Sequence, residues 1–180
     1  ITISDSMLTS NSAEDTGGAV TLSGPPAQLN LIRSVVSGNS AGSAGGGVWV
    51  LGDLHANNST ITNNLAMTNG GAVATNATLV FSTIVDNSTT SPSGGRQLGA
   101  VNLDSFAGYV AGGAGAPNSC SVERATSHGY NVGDDPSCGF GSGVGDLSDG
   151  PRDGVGLLGY YQGDLQERPP VPARPPVPNG

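Results

Sequence analysis

The chain has 180 residues, of which 30 are Gly and 12 Pro, with only 11% charged and 4% aromatic. That length suits one domain plus a tail, and the shortage of Lys, Gln and Glu argues against a helical bundle. All six basic residues are Arg, against 14 Asp plus Glu, so the net charge of −8 repels phosphate and excludes ordinary nucleic-acid binding.

The absence of Lys removes Schiff-base chemistry. No run of 18 apolar residues is present, so no membrane span is expected. Ile1-Thr2-Ile3-Ser4 carries no charged segment of a secretory signal. It opens in mid-strand, which leads us to expect upstream coils or another chain at that edge.

Taken in chain order, four segments share one frame, with Ser at the first position and Asn at the sixth. They are Ser6-Met-Leu-Thr-Ser-Asn11, Ser34-Val-Val-Ser-Gly-Asn39, Ser59-Thr-Ile-Thr-Asn-Asn64 and Ser82-Thr-Ile-Val-Asp-Asn87. Successive Ser anchors lie 28, 25 and 23 residues apart, so the unit is a short repeat whose length varies in loops. Three units continue to a Gly pair at equal distance, Gly17-Gly18-Ala19-Val20, Gly45-Gly46-Gly47-Val48 and Gly70-Gly71-Ala72-Val73. In the fourth, Gly94-Gly95 comes one residue late.

Each unit predicts three short strands: one around Leu29 to Leu31, Leu54 to Ala56 or Leu79 to Phe81, one from the Ser anchor to the Asn, and one after the Gly pair. Strands this short do not stand alone as hairpins. Stacking one unit per coil buries them, with Leu8, Val36, Ile61 and Ile84 in one inward column and Val20, Val48 and Val73 in a second. Leu29 or Leu31, Leu54 and Leu79 make a third.

Asn11, Asn39, Asn64 and Asn87 then align at one corner as an amide ladder, since Asn tolerates a left-handed backbone and stacked amides bond along the axis. The Gly pairs form the next corner, where a Cβ would not fit. The expected fold is all-β, a parallel β-helix or β-solenoid with coils about 4.8 Å apart. A low-complexity chain is the competing reading, but disorder gives no reason to hold apolar residues in frame with both Asn and Gly-Gly.

Beyond residue 88 the frame loosens. Ala100 to Leu103 and Phe106 to Val110 are expected as strands of a last irregular coil, closing a β-helix domain over residues 1–112. Residues 113–165 are expected to form a loop-rich C-terminal cap over the exposed end of the stack. Residues 166–180 form a Pro-rich tail, Pro169-Pro-Val-Pro-Ala-Arg-Pro-Pro-Val-Pro178, expected as a polyproline II spacer.

The repeats Asn11 to Val20 and Asn64 to Val73 resemble those of polymorphic outer-membrane proteins. Ser127-His-Gly-Tyr-Asn131, Asp135-Pro-Ser-Cys138-Gly-Phe, Gly145-Asp-Leu and Leu157-Leu158-Gly159 resemble, in that order, the end of bacterial choice-of-anchor surface proteins. The resemblance covers residues 1–160 and implies a right-handed β-helix at a bacterial cell surface or outside the cell. Tyr160 to Asp164 and the Pro-rich tail depart from that pattern, where a further strand and an anchor are expected. In an exported chain Cys120 and Cys138, the only cysteines, are expected to pair as a disulfide. A metal or redox pair would need tighter C-x-x-C spacing or nearby His ligands.

Catalysis is considered because polysaccharide lyases and hydrolases use this fold. A hydrolase needs two carboxylates converging from neighbouring coils, whereas Asp5, Glu14, Asp15, Asp53, Asp86 and Asp104 do not share columns on adjacent coils in the repeat frame. A lyase needs a basic residue near its sugar acid, and Arg33 pairs more naturally with Asp5 one coil away. His55 and His128 are isolated, and no Gly-x-Ser-x-Gly elbow is present, so no catalytic residue is assigned.

Asp134-Asp135 and Asp146, Asp149 and Asp153 offer hard oxygen ligands for calcium, without the spacing of an EF-hand or β-roll, and ordinary solvated acids are favoured. Asn57, Asn58, Asn76 and Asn87 begin Asn-x-Ser/Thr sequons that arise by composition.

The functional expectation is an extracellular or cell-surface structural or adhesion module binding a polysaccharide or a surface protein. The alternatives are a β-helix lyase or hydrolase, or a filament subunit self-associating through an open end coil.

Overall fold

The computed structural model describes residues 1–91, 95–112 and 118–150. The Pro-rich tail, Leu157-Leu158-Gly159 and Asp153 lie outside the described residues. Within them the chain is a parallel β-solenoid of about five turns. The first coil holds β1 (Thr2–Ser4), β2 (Met7–Thr9) and β3 (Ser12–Ala13), and the second β4 (Val20–Ile32), β5 (Val35–Ser37) and β6 (Ser40–Ala41). The third holds β7 (Val48–Asn57), β8 (Thr60–Thr62) and β9 (Leu65–Ala66), and the fourth β10 (Ala72–Val80), β11 (Thr83–Val85) and β12 (Ser88–Thr89). Then come β13 (Leu98–Phe106), β14 (Tyr109–Ala111), β15 (Cys120–Ser127) and β16 (Val132–Gly133).

Three parallel sheets run along the stack. The front sheet has the order β1-β4-β7-β10-β13-β15, the back sheet β16-β14-β11-β8-β5-β2, and a short side sheet β12-β9-β6-β3. Every neighbour in the back sheet is one coil away in sequence, and the variable repeat length leaves its register intact because the variation falls outside the back strands, chiefly within the front ones.

The sequence reading separates a strand after the Gly pair from a strand around the Leu positions, but these are one long front strand in each coil. Its extra residues are absorbed as irregularities, between Leu22 and Ala27 of β4 opposite β7 and between Val50 and Asp53 of β7 opposite Ala74 and Asn76 of β10. A bulge takes up added residues without shifting the pairing on either side. The solenoid also runs past residue 112, since β15 pairs with β13 from Leu98↔Cys120 to Ser105↔Ser127. The described residues beyond β15 are loop-rich, with the short β16 and one 3₁₀ turn, Pro136–Cys138.

The interior is apolar columns one residue wide. In the back sheet Leu8, Val36, Ile61 and Ile84 pair in sequence and continue to Val110. All are fully buried except Leu8 on the terminal coil, which is half-buried against the core. The front sheet contributes Val20-Val48-Ala72-Leu98-Cys120, and further along the strand Leu29-Leu54-Ala77-Leu103-Ala125 and Ile3-Leu31-Ala56-Leu79.

Two sequence assignments give way to the observed register. Leu79 stands in the Leu31 column, not beside Leu54, where Ala77 sits. Val73 does not continue Val20 and Val48: Ala72 takes that place and Val73 lies on the outer row with Thr21 and Trp49.

The cause of the slip is a corner. The left-handed residue there is Gly17 (φ +61°) and Gly45 (φ +63°) in the second and third front-strand approaches, but Asn69 (φ +50°) in the next. Asn69 substitutes for the first glycine, so Gly70-Gly71 align with Gly18-Ala19 and Gly46-Gly47, and the unit is one residue shorter than the Gly pairs suggest. Asn is the commonest non-glycine residue to adopt that backbone.

Candidate functional site

Each coil turns three corners, and at each a left-handed residue is followed by one whose side chain or bare Cα faces inward. Between the back and side sheets the left-handed positions are Ser10, Gly38, Asn63 and Asp86, followed by Asn11, Asn39, Asn64 and Asn87. The amide Nδ2 of Asn11 donates to Asn39 Oδ1, Asn39 to Asn64 and Asn64 to Asn87, each at 2.9 Å. Each Oδ1 also accepts the backbone N–H of the preceding coil's Asn, at 2.9–3.0 Å. The second proton of Asn64 and Asn87 reaches a carbonyl, Val36 O and Ile61 O, at 3.0 Å. Asn39, Asn64 and Asn87 are at most 1% exposed, so the ladder satisfies polar groups that water does not reach.

The Ser anchors form a second ladder at the corner between the front and back sheets. Ser6 N–H donates to Ser34 Oγ (3.2 Å), Ser34 N–H to Ser59 Oγ (3.1 Å) and Ser59 N–H to Ser82 Oγ (3.1 Å).

Both ladders end on residues that the repeat does not reveal. Gln97 turns its side chain into the Asn slot: Oε1 accepts from Asn87 N and Nδ2 at 3.1 and 2.8 Å, and Nε2 donates to Asn87 O and Gly112 O. Gly47 and Gly71 hold the position of Gln97 in earlier coils, where a Cβ would lie about 3 Å from the Asn64 and Asn87 amides. Ala19 places only a methyl there in the second coil, and a long side chain enters the slot only where the asparagines stop.

Asn131 closes the Ser side. Its Oδ1 accepts from Gly108 N–H (2.8 Å) and Ser105 Oγ (2.7 Å), and its own N–H donates to Asp146 (2.9 Å).

The acidic residues after β15 hold the chain end. Asp146 accepts the backbone N–H groups of Asn131, Gly141 and Gly143. Burial would raise its pKa, but hydrogen bonds from the Ser127 side chain and these N–H groups lower it to about 2. Asp135 accepts from Ser119 N and Ser137 N at 2.8 Å, and these bonds outweigh burial to hold its pKa below the usual carboxylate value. Asp134 accepts from Gly112 N and Ser119 Oγ. Cys120 and Cys138 form a disulfide, with Cα atoms 4.9 Å apart, and both are buried with Phe140 against the core.

The weak calcium candidates are thus divided. Asp146 spends its oxygens on its own backbone, Asp149 is exposed, and among the described residues no three His, Cys, Asp or Glu groups gather in a metal-binding cluster.

The outer surface of the front sheet carries the unassigned chemistry. Gln28, Asp53, Asn76, Asn102 and Arg124 form one outward row in register. Asn102 Nδ2 donates to Asn76 Oδ1 and Asn76 Nδ2 to Asp53 Oδ1, both at 2.7 Å. The next row runs Thr2, Asn30, His55, Thr78 and Asp104, and Asp104 meets His128 Nε2 at 3.1 Å. Asp53 and Asp104, the outward carboxylates of the fully paired coils, therefore have an amide and an imidazole as their neighbours.

Along the corner beside these rows the left-handed position holds Asp5, Arg33, Asn58, Phe81, Ala107 and Tyr130 in successive coils. Arg33 Nε and Nη2 donate to the two oxygens of Asp5 at 2.7 Å each. That contact lowers the Asp5 pKa and raises that of Arg33. At the other end Phe81 and Phe106 lie edge-to-face with ring centres 5.3 Å apart, and Phe106 and Tyr130 likewise at 6.1 Å. Phe81 and Tyr130 remain 56% and 60% exposed, in a backbone conformation that bulky residues rarely adopt. The sequence reading missed this cluster.

No protein-family model matches the chain, and neither a curated protein nor a solved structure does. The resemblance to polymorphic outer-membrane and choice-of-anchor proteins rests on the quoted motifs alone. The parallel β-solenoid, its asparagine ladder and its disulfide stand independently of it. Among the described residues no helix is long and apolar enough to cross a membrane, and a disulfide is at home in a non-cytosolic environment.

Proposed function

We propose that the chain is a non-catalytic structural or adhesion module, working outside the cell or on its surface, whose front sheet binds a glycan or a surface protein. The observation that carries this reading is the ordered Asn102–Asn76–Asp53 row, which holds amide and carboxylate groups at coil spacing on a scaffold locked from within. A row of fixed donors and acceptors needs no ordering when a polar chain is laid along it, so less conformational entropy opposes binding. The disulfide supports an oxidising location.

The reading is tested by incubating the protein with neutral and acidic polysaccharides, with and without calcium, and measuring retention on each and new chain ends by mass spectrometry. Retention without new ends is the expected result. New ends formed at a catalytic rate would replace it with a lyase or hydrolase, and absence of retention on every member would remove the glycan arm.

A further inference from the structure

We infer that Phe81, Phe106 and Tyr130 form a stacking subsite for a neutral oligosaccharide lying along the corner of the solenoid, parallel to its axis. This rests on the glycan arm of the proposed function and specifies where that chain is held.

The three rings come from successive coils, so the cluster spans two coil spacings, about 10 Å, the reach of a disaccharide. Aromatic rings offer the apolar faces that the C–H surfaces of a pyranose prefer, and hydroxyl partners stand beside them. Asp104 and His128 are each about half exposed, at 53% and 55% of their side chains. On the next coil Asn57 and Asn58, joined by a 2.7 Å amide contact, continue the line.

The same corner therefore passes from amides to rings along one axis, as a chain with alternating polar edges and apolar faces requires. The net charge of −8 and the Asp104 carboxylate disfavour an acidic sugar. A protein partner is less well served: three partly exposed rings offer on the order of 300 Å², well short of the roughly 800 Å² per partner of a stable interface.

The test is titration calorimetry of the whole protein with cellohexaose, maltohexaose and chitohexaose, using Phe81→Asn and Tyr130→Asn. Asn suits the left-handed backbone at both positions, as Asn58 does in the same column, so these variants remove a ring and keep the corner. Asn76→Ala and Asn102→Ala probe the flat face separately.

At least one hexaose is expected to bind, with affinity falling about tenfold for each ring removed and the melting temperature held. Binding that survives ring loss but falls in Asn76→Ala or Asn102→Ala would overturn the subsite and leave glycan binding on the flat face. No heat with any hexaose would overturn the subsite; retention in the polysaccharide panel then decides the broader glycan reading. A concentration-dependent dimer abolished by Phe81→Asn, without sugar binding, would assign the rings to a second copy and overturn it too.

Discussion

Two corners of the same coil follow opposite rules. Where the back sheet meets the side sheet, four successive coils carry the same inward residue, and Asn39, Asn64 and Asn87 are buried and bonded on both sides. Where the front sheet meets the back sheet, the left-handed outward position changes in every coil, from Asp5 and Arg33 through Asn58 to Phe81, Ala107 and Tyr130.

The first corner repeats because each amide must meet its copy one coil away, so every coil faces the same constraint. The outward position at the second is free to vary because its side chain points to solvent and backbone pairing does not depend on it, while the buried Ser beside it repeats as a ladder of its own. Residues that define the fold are thus the repeated ones, and residues that distinguish this chain from a generic solenoid are those that break the repeat while facing out.

Substitutions that carry an outward property inward should have the largest effect. Ile61→Asp places an unpaired carboxylate in a column where the side chain is 1% exposed, and a loss of about 5 kcal/mol or outright unfolding is expected. Retained cooperative melting near the wild-type temperature, followed by circular dichroism, would break the distinction between inward and outward sets. Next comes the closed end. Cys138→Ser opens the 18-residue link to Cys120, and a loss of about 3 kcal/mol in denaturant unfolding is expected.

Acid sharpens the same contrast at a single carboxylate. The pKa of Asp146 is depressed in the folded chain to about 2, so its contribution is complete above the unfolded value of about 4 and is lost as pH falls through about 2. Hydrogen exchange at Asn131, Gly141 and Gly143 should accelerate over that window, and Asp146→Asn should flatten the dependence. Smallest is the outward ion pair. Asp5 and Arg33 stand in water despite good geometry, with side chains 61% and 59% exposed, and Asp5→Asn is expected to leave the melting temperature unchanged within error.

Legibility in the sequence divides along the same line. The Ser and Asn anchors can be read because their spacing is fixed by the stack, and Leu8, Val36, Ile61 and Ile84 come from counting two residues beyond each Ser. Val73 is misplaced by that reading because Asn69 performs a glycine's role, and identity in the Gly-Gly-Ala-Val string outweighs the count to the corner.

Gln97 and Asn131 are illegible for a different reason. Gln97 fills an Asn slot from another place in the coil, and Asn131 stands in the Ser-anchor position as a different residue after Gly108 has broken the frame, so alignment by residue identity finds neither. The aromatic cluster is half legible: Phe81 precedes a Ser anchor as Asp5, Arg33 and Asn58 do, but Tyr130 precedes Asn131, whose place in the same column emerges only once the coils are stacked.

The most direct test lies in two adjacent asparagines of one coil. Asn63 points out in a left-handed backbone (φ +53°), whereas the side chain of Asn64 points in and makes four ladder hydrogen bonds. Urea unfolding of Asn63→Gly should stay within about 0.5 kcal/mol of wild type, since glycine suits that backbone. Asn64→Gly should lose about 4 kcal/mol, because it strands buried partners above and below. Equal losses at the two positions would contradict the ladder as the element that holds the stack.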